Sequence, residues 1–195
     1  MNEKILSIIN QKGGVGKTTT VINLAAGLAI KGKKILVIDL DPQGNATTGL
    51  GLSNTESSDK TIYSVLNGTR NIYDVICKTK IENLDLVTSN VDLSGLEVET
   101  AGDNRRAFIL KDQIMAYLKD SNASYDYVLI DCPPSLSLLT IMALVSSNSL
   151  VVPLQTEFFA LEGITQLMKT IDRIKNNLNP ELMIKGILLT MYDKR

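Results

Sequence analysis

The sequence contains no histidine, an omission that removes imidazole triads, imidazole proton shuttles and His-based zinc sites together. Chemistry has to rest on carboxylates, lysines and backbone amides. Cysteine is nearly as scarce: Cys77 and Cys132 lie far apart and form no CxxC pair, which points to a reducing compartment and to small buried thiols. No apolar stretch reaches the roughly 20 residues that span a bilayer, and the run in "MNEKILSIIN" is too short and too early for a secretory signal. The expected location is the cytoplasm. Neither charge sign dominates, with 20 Lys and Arg against 21 Asp and Glu. The chain as a whole is therefore not drawn to nucleic acid, and any DNA contact must come from a local basic patch or from paired subunits.

What is present is a regular alternation. Short runs rich in Ile, Val and Leu ("ILSII", "KILVID", "LDLVTS", "YVLID", "LVVPL", "GILLTM") are separated by segments with helical spacing, the pattern of a doubly wound, mostly parallel α/β sheet with helices on both faces. Val21, Leu24, Ala25 and Leu28 predict an amphipathic helix stopped by Gly32. Leu110, Ile114, Tyr117 and Leu118 repeat that stripe, as do Ile164, Leu167, Met168, Ile171 and Ile174. Residues 53–80 are polar and read as loop plus short helices. At 195 residues and 44% hydrophobic, the chain suits one domain with a two-sided core. It stops at "MYDKR", just after a strand-like run, so the expectation is a single domain over residues 1–195 that lacks its closing segment.

Chemistry concentrates in "NQKGGVGKTTT", residues 10–20. Placed between an apolar strand and a helix, this is a phosphate-binding loop, and the fold it predicts is that of a P-loop NTPase. The backbone from Gly13 through Gly14, Val15 and Gly16 can turn its N–H groups inward, and the helix that follows favours an anion at its start. Lys17 reaches the outer phosphates, Thr18 offers its hydroxyl to Mg²⁺, and Thr19 binds the innermost phosphate. Two buried strands end in a candidate metal-holding aspartate, Asp39 and Asp131. Asp41, two residues beyond Asp39, is the candidate for orienting the attacking water. Gln11 stands where the pattern has its first glycine, and beside it Lys12 is a second lysine in the loop. The residues alone leave its role open, the plain alternatives being that Lys12 neutralises its own subunit's phosphates or lies in solvent.

"KGGVGKTT", "DLDPQGN" and "LIDCPPS", continuing through "PLQTEFFALEGITQL" and "GILLTMYD", together resemble the deviant-Walker ATPases of the ParA/Soj partition group over essentially the whole chain. The resemblance implies that Lys12 crosses a dimer interface to the partner's nucleotide, and that "DPQGN" is a nucleotide-sensing switch. It implies that Asp131 is the Walker B aspartate and that Met191 and Tyr192 approach the adenine. It further implies ATP and Mg²⁺ as cofactors, an ATP-dependent homodimer that binds DNA without sequence preference on the nucleoid, and a ParB-like centromere-binding partner that stimulates hydrolysis. No membrane contact is expected.

Candidate DNA-facing cations are Lys169, Arg173, Lys175, Lys185, Lys194 and Arg195, the last two preferred. Two rivals share the loop: a MinD-like membrane-cycling ATPase, and a biosynthetic phosphoryl-transfer enzyme resembling dethiobiotin synthetase. Electron transfer of the nitrogenase iron-protein type is disfavoured, because the cysteines lack a cluster-ligand setting.

Overall fold

In strand β2 (Ile35–Asp39) neighbouring side chains part company: Ile35 and Val37 enter one apolar cluster, Leu36 and Ile38 another. A period of two does this to any strand, and it requires cover on both faces. The computed structural model describes residues 4–52, 59–119, 125–156 and 160–193, and β2 lies inside a seven-stranded sheet. The other strands are β1 (Lys4–Ile8), β3 (Ile76–Lys78), β4 (Leu84–Val87), β5 (Tyr127–Asp131), β6 (Ser149–Gln155) and β7 (Met183–Thr190). Their order is β3-β4-β2-β5-β1-β6-β7. All pairings are parallel except β3 with β4.

One face is covered by α1 (Lys17–Ile30), which buries Val21, Ala25 and Ala29 against β2 and β4, with Leu24 and Leu28 partly buried beside them. The helix ends where expected, Gly32 taking φ +77° and donating its N–H to the Ala29 carbonyl. The opposite face carries α3 (Ile62–Leu66), α5 (Ile109–Leu118) and α6 (Leu138–Ser146). In α5 Leu110 and Ile114 are buried and Tyr117 and Leu118 half-buried. Leu167, Ile171 and Ile174 of α7 (Ala160–Asn177) pack on α6 and β6, with Met168 and Ile164 half-buried. Helix α6 is buried on almost every side, so it carries apolar residues all round and shows no stripe.

Residues 53–80 depart from the loop-and-helix expectation in one respect. Their described part contains α3 and a 3-10 turn at Ile72–Val75, but also the antiparallel edge strand β3. Three residues are too few for a period of two to register. Apolar side chains also remain exposed along the β7 edge, Met183, Ile187 and Leu189 among them.

The order of strands matters for the site. From β1 the chain crosses past β5 to β2, whereas from β5 it crosses to the other side, to β6. Connections thus diverge at the carboxyl ends of β1 and β5, where open α/β sheets bind ligands. In register there, Asp131 lies beside Ile8 on one side and Asp39 on the other.

Leu36 is 1% exposed within the core. Leu36→Ala is expected to cost about 2–5 kcal/mol in urea unfolding, and a loss below about 1 kcal/mol would contradict the packing described.

Candidate functional site

The loop between β1 and α1 is fastened before it turns. Asn10, 5% exposed, donates its amide to the Pro153 carbonyl on β6 (2.7 Å), and its side-chain oxygen accepts from the Lys12 N–H (3.0 Å). Gly14 and Gly16 then take φ of +75° and +88°, conformations that cost glycine little and other residues much. No side chain caps α1 after Gly16, so its first-turn N–H groups remain available to an anion. On the far side of the turn, the Thr190 hydroxyl donates to the Val15 carbonyl (2.9 Å). Lys17 is buried, its ammonium donating to the Lys12 carbonyl (3.1 Å). Burial pushes its pKa down, while Asp131, Cys132 and Asp41 push it back up.

In front of the loop lies a cleft of about 410 Å³ that gathers Gly13, Gly14, Gly16, Lys17, Thr18 and Thr19 with Asp41 and Met191. Asn45 and Pro134 complete its lining. They sit in motifs quoted above but were not singled out as site residues, since nothing in the spacing shows which switch residues turn inward. Val15 is buried and lines the neighbouring hollow rather than this cleft. Lys12 is exposed and does not line this cleft. It borders a separate hollow of about 270 Å³ with Gln11, Leu154 and Gln155. Tyr192 is 61% exposed and outside the cleft lining, whereas Met191 reaches the lining with a left-handed φ of +52°. A larger hollow, about 460 Å³ around Asp85, Tyr117 and Tyr125, lies at the opposite ends of the strands and contains no loop residue.

The three aspartates differ in what they already hold. Asp39 is fully buried and committed: one carboxylate oxygen accepts from the Thr47 N–H (2.8 Å) and hydroxyl (2.7 Å), the other from the Asp41 N–H (3.2 Å). The Thr47 oxygen in turn accepts from the Ser89 N–H (3.0 Å). Burial raises Asp39 to about 6 against the pull of the Thr47 bonds. Asp41 accepts from the Gln43 N–H (3.0 Å) and faces the cleft. Asp131 is fully buried and neither oxygen completes a hydrogen bond. Burial, and then the neighbouring Asp39 charge, raise it to about 7, although the nearby Thr18 hydroxyl pulls the other way.

A buried carboxylate without donors, beside a hydroxyl and an ammonium, is a place for a cation. Among the described residues no cluster of three or more Cys, Asp or Glu could hold a metal alone. Such a site suits Mg²⁺, which shares its coordination between one or two protein oxygens and phosphate.

A sequence profile described as "AAA domain" matches residues 3–184. Over 192 residues, 98% of this chain, the sequence is 51% identical to "Chromosome partitioning protein ParA" of Caulobacter vibrioides, covering 71% of that protein. The chain belongs to the ParA/Soj family of chromosome-partitioning ATPases. It is also 47% identical to "Sporulation initiation inhibitor protein Soj" of Bacillus subtilis, covering 74% of that protein. Among solved structures, cobyrinic acid a,c-diamide synthase of Mycobacterium smegmatis with bound ATP analog and magnesium superposes with a TM-score of 0.91. That comparison covers 99% of this chain and 77% of the synthase at 37% identity. P-loop NTPase architecture is thus common to this ParA/Soj chain and to an enzyme named for biosynthesis.

Because Asp39 and Asp131 are weaker acids in the fold than in the unfolded chain, the folded state keeps protons that the unfolded state has released. Stability of the nucleotide-free protein should therefore fall as pH rises from about 4 through about 7. Asp131→Asn is expected to flatten that decline and to raise the melting midpoint near pH 8. An equally steep decline in the variant would show that Asp131 is not its source.

Proposed function

We propose that this ParA/Soj ATPase works as one P-loop unit in which ATP joins two copies into a dimer that binds DNA without sequence preference, until hydrolysis, stimulated by a ParB-like partner, releases it. The observation that carries this reading is the division between the two lysines of the loop. Lys17 is buried behind the phosphate cleft, whereas Lys12 is exposed and borders a different hollow. One ammonium serves its own subunit's phosphates, and the other is placed for a second subunit. A cation brought against phosphoryl charge in an interface poor in water is worth far more than one in solvent.

ATP and Mg²⁺ are the ligands of the cleft. Backbone N–H groups from Gly13 to Gly16, with Lys17 and Thr19, hold the phosphates. Thr18 and Asp131 would hold Mg²⁺, which when bound would offset negative charge developing on the phosphates. Asp41 orients the attacking water. Asp39 has both oxygens occupied, so it is assigned to fixing the loop that carries Asp41 rather than to the metal. Met191 forms the base side of the cleft, with Tyr192 next to it in the chain.

Lys169, Arg173, Lys175 and Lys185 are exposed, so phosphate contacts from them and from their copies in a dimer are sterically open. Lys194 and Arg195 lie outside the described residues. If such contacts carry the DNA binding and the nucleoid association it implies, log affinity falls by about 0.9 per phosphate neutralised for each unit of log salt. The greater identity to ParA, 51% against 37% for the synthase, supports partition over biosynthesis. No helix among the described residues is long and apolar enough to cross a membrane, and sedimentation with vesicles separates this reading from a MinD-like one.

Light scattering under ATP and under ADP tests the dimer. Asp41→Ala is expected to accumulate the ATP dimer while hydrolysis collapses. Lys12→Ala is expected to stay monomeric, to keep binding nucleotide, and to lose roughly 10³-fold or more of the stimulated rate. Equal behaviour of the two variants would contradict the roles assigned.

A further inference from the structure

We propose that Thr190 is a positioning residue for the phosphate loop, acting through the Val15 carbonyl; the inference rests on reading the cleft as the nucleotide site. Thr190 is the last residue of β7, 175 positions from Val15 in the chain. Both of its γ atoms lie at the turn. The hydroxyl donates to the Val15 carbonyl at 2.9 Å, and the methyl lies 3.6 Å from where a Cβ on Gly16 would stand.

The consequence follows from peptide geometry. A trans peptide directs its C=O and N–H to opposite sides. Fixing the Val15 carbonyl toward β7 therefore aims the N–H of Gly16 away from β7, and Gly16 is one of the residues that line the cleft. Without that restraint this peptide turns over more readily than one followed by a residue with a side chain, since Gly16 at φ +88° has no Cβ to oppose rotation. Asn10 fastens the other end of the loop to β6. The loop is thus suspended between two strands, with Thr190 holding the point nearest the helix start.

Threonine suits the task better than serine. Branching at Cβ restricts χ1 and favours the strand, so one side chain delivers the hydroxyl and the methyl together. The next residue, Met191, lines the same cleft from a left-handed conformation, so the end of β7 steadies the phosphate loop and also forms a wall of the site.

Direct titration of Mg-ATP and Mg-ADP into the full chain tests the proposal, using the parent, Thr190→Val, Thr190→Ser and Thr190→Ala. Valine keeps shape and strand preference but cannot donate. It is expected to weaken both nucleotides alike by about five- to tenfold, the worth of one hydrogen bond. Its KM for ATP rises while kcat stays within about twofold, and its melting midpoint without nucleotide falls by no more than the loss of one hydrogen bond implies. Serine restores binding to within about twofold, and alanine binds no better than valine. Valine binding within twofold of the parent, or serine as weak as valine, overturns the proposal. A parent that binds neither nucleotide overturns the nucleotide reading itself.

Discussion

The molecule is organised around charge held at one end of a parallel sheet. Lys17, Asp39 and Asp131 are each almost wholly removed from water at the carboxyl ends of β1, β2 and β5, where isolated ions are costly. Only Asp39 is fully compensated by protein groups, through Thr47 and the Asp41 amide. Lys17 has one carbonyl and Asp131 no complete bond at all. An anion bearing a divalent cation satisfies both deficits at once, which is why an ATPase can leave its ligand-free site electrostatically unfinished. The core beneath is what makes this tenable, with α1 on one face and α5 and α6 on the other keeping the strand ends rigid.

The same arrangement separates two functions within a few residues. Asp39 spends its oxygens on Asp41 and on Thr47, which lies inside the short helix α2 (Asn45–Gly49). Displacing the segment between them therefore means disturbing a buried carboxylate, so the loop resists small displacements. Asp131, by contrast, is free to answer a metal. Two acids that end adjacent strands in register thus differ: one is tied by hydrogen bonds to the segment from position 41 to 47, and the other completes none.

How much of this was readable beforehand follows from the physics of each element. Six strands could be read directly as apolar runs, which parallel strands covered on both faces require, although β7 keeps its run largely exposed. β3 could not, being three residues at an edge, and α6 gave no stripe because it has no solvent face. At the site, Gly14, Gly16 and Lys17 were visible because a left-handed turn before a helix demands those residue types in that order. The commitment of Asp39 was not, since its partner Thr47 is eight residues away and reaches it only after the loop has folded back. Thr190 was still further from view, because a hydrogen bond across 175 residues leaves no local pattern. Asn10 stood in plain sight ahead of the glycines, but the acceptor that explains it, the Pro153 carbonyl, lies on another strand.

The outer strand β7 has a different kind of consequence. Among the described residues its eight positions pair with β6 alone, and Met183, Ile184, Ile187, Leu188 and Leu189 are all more than two-fifths exposed. An apolar strand edge of this kind is a template on which an extended peptide can pair as a further strand. The strand that offers this edge is also the one whose last residue, Thr190, is tied to the loop between β1 and α1 through the Val15 carbonyl.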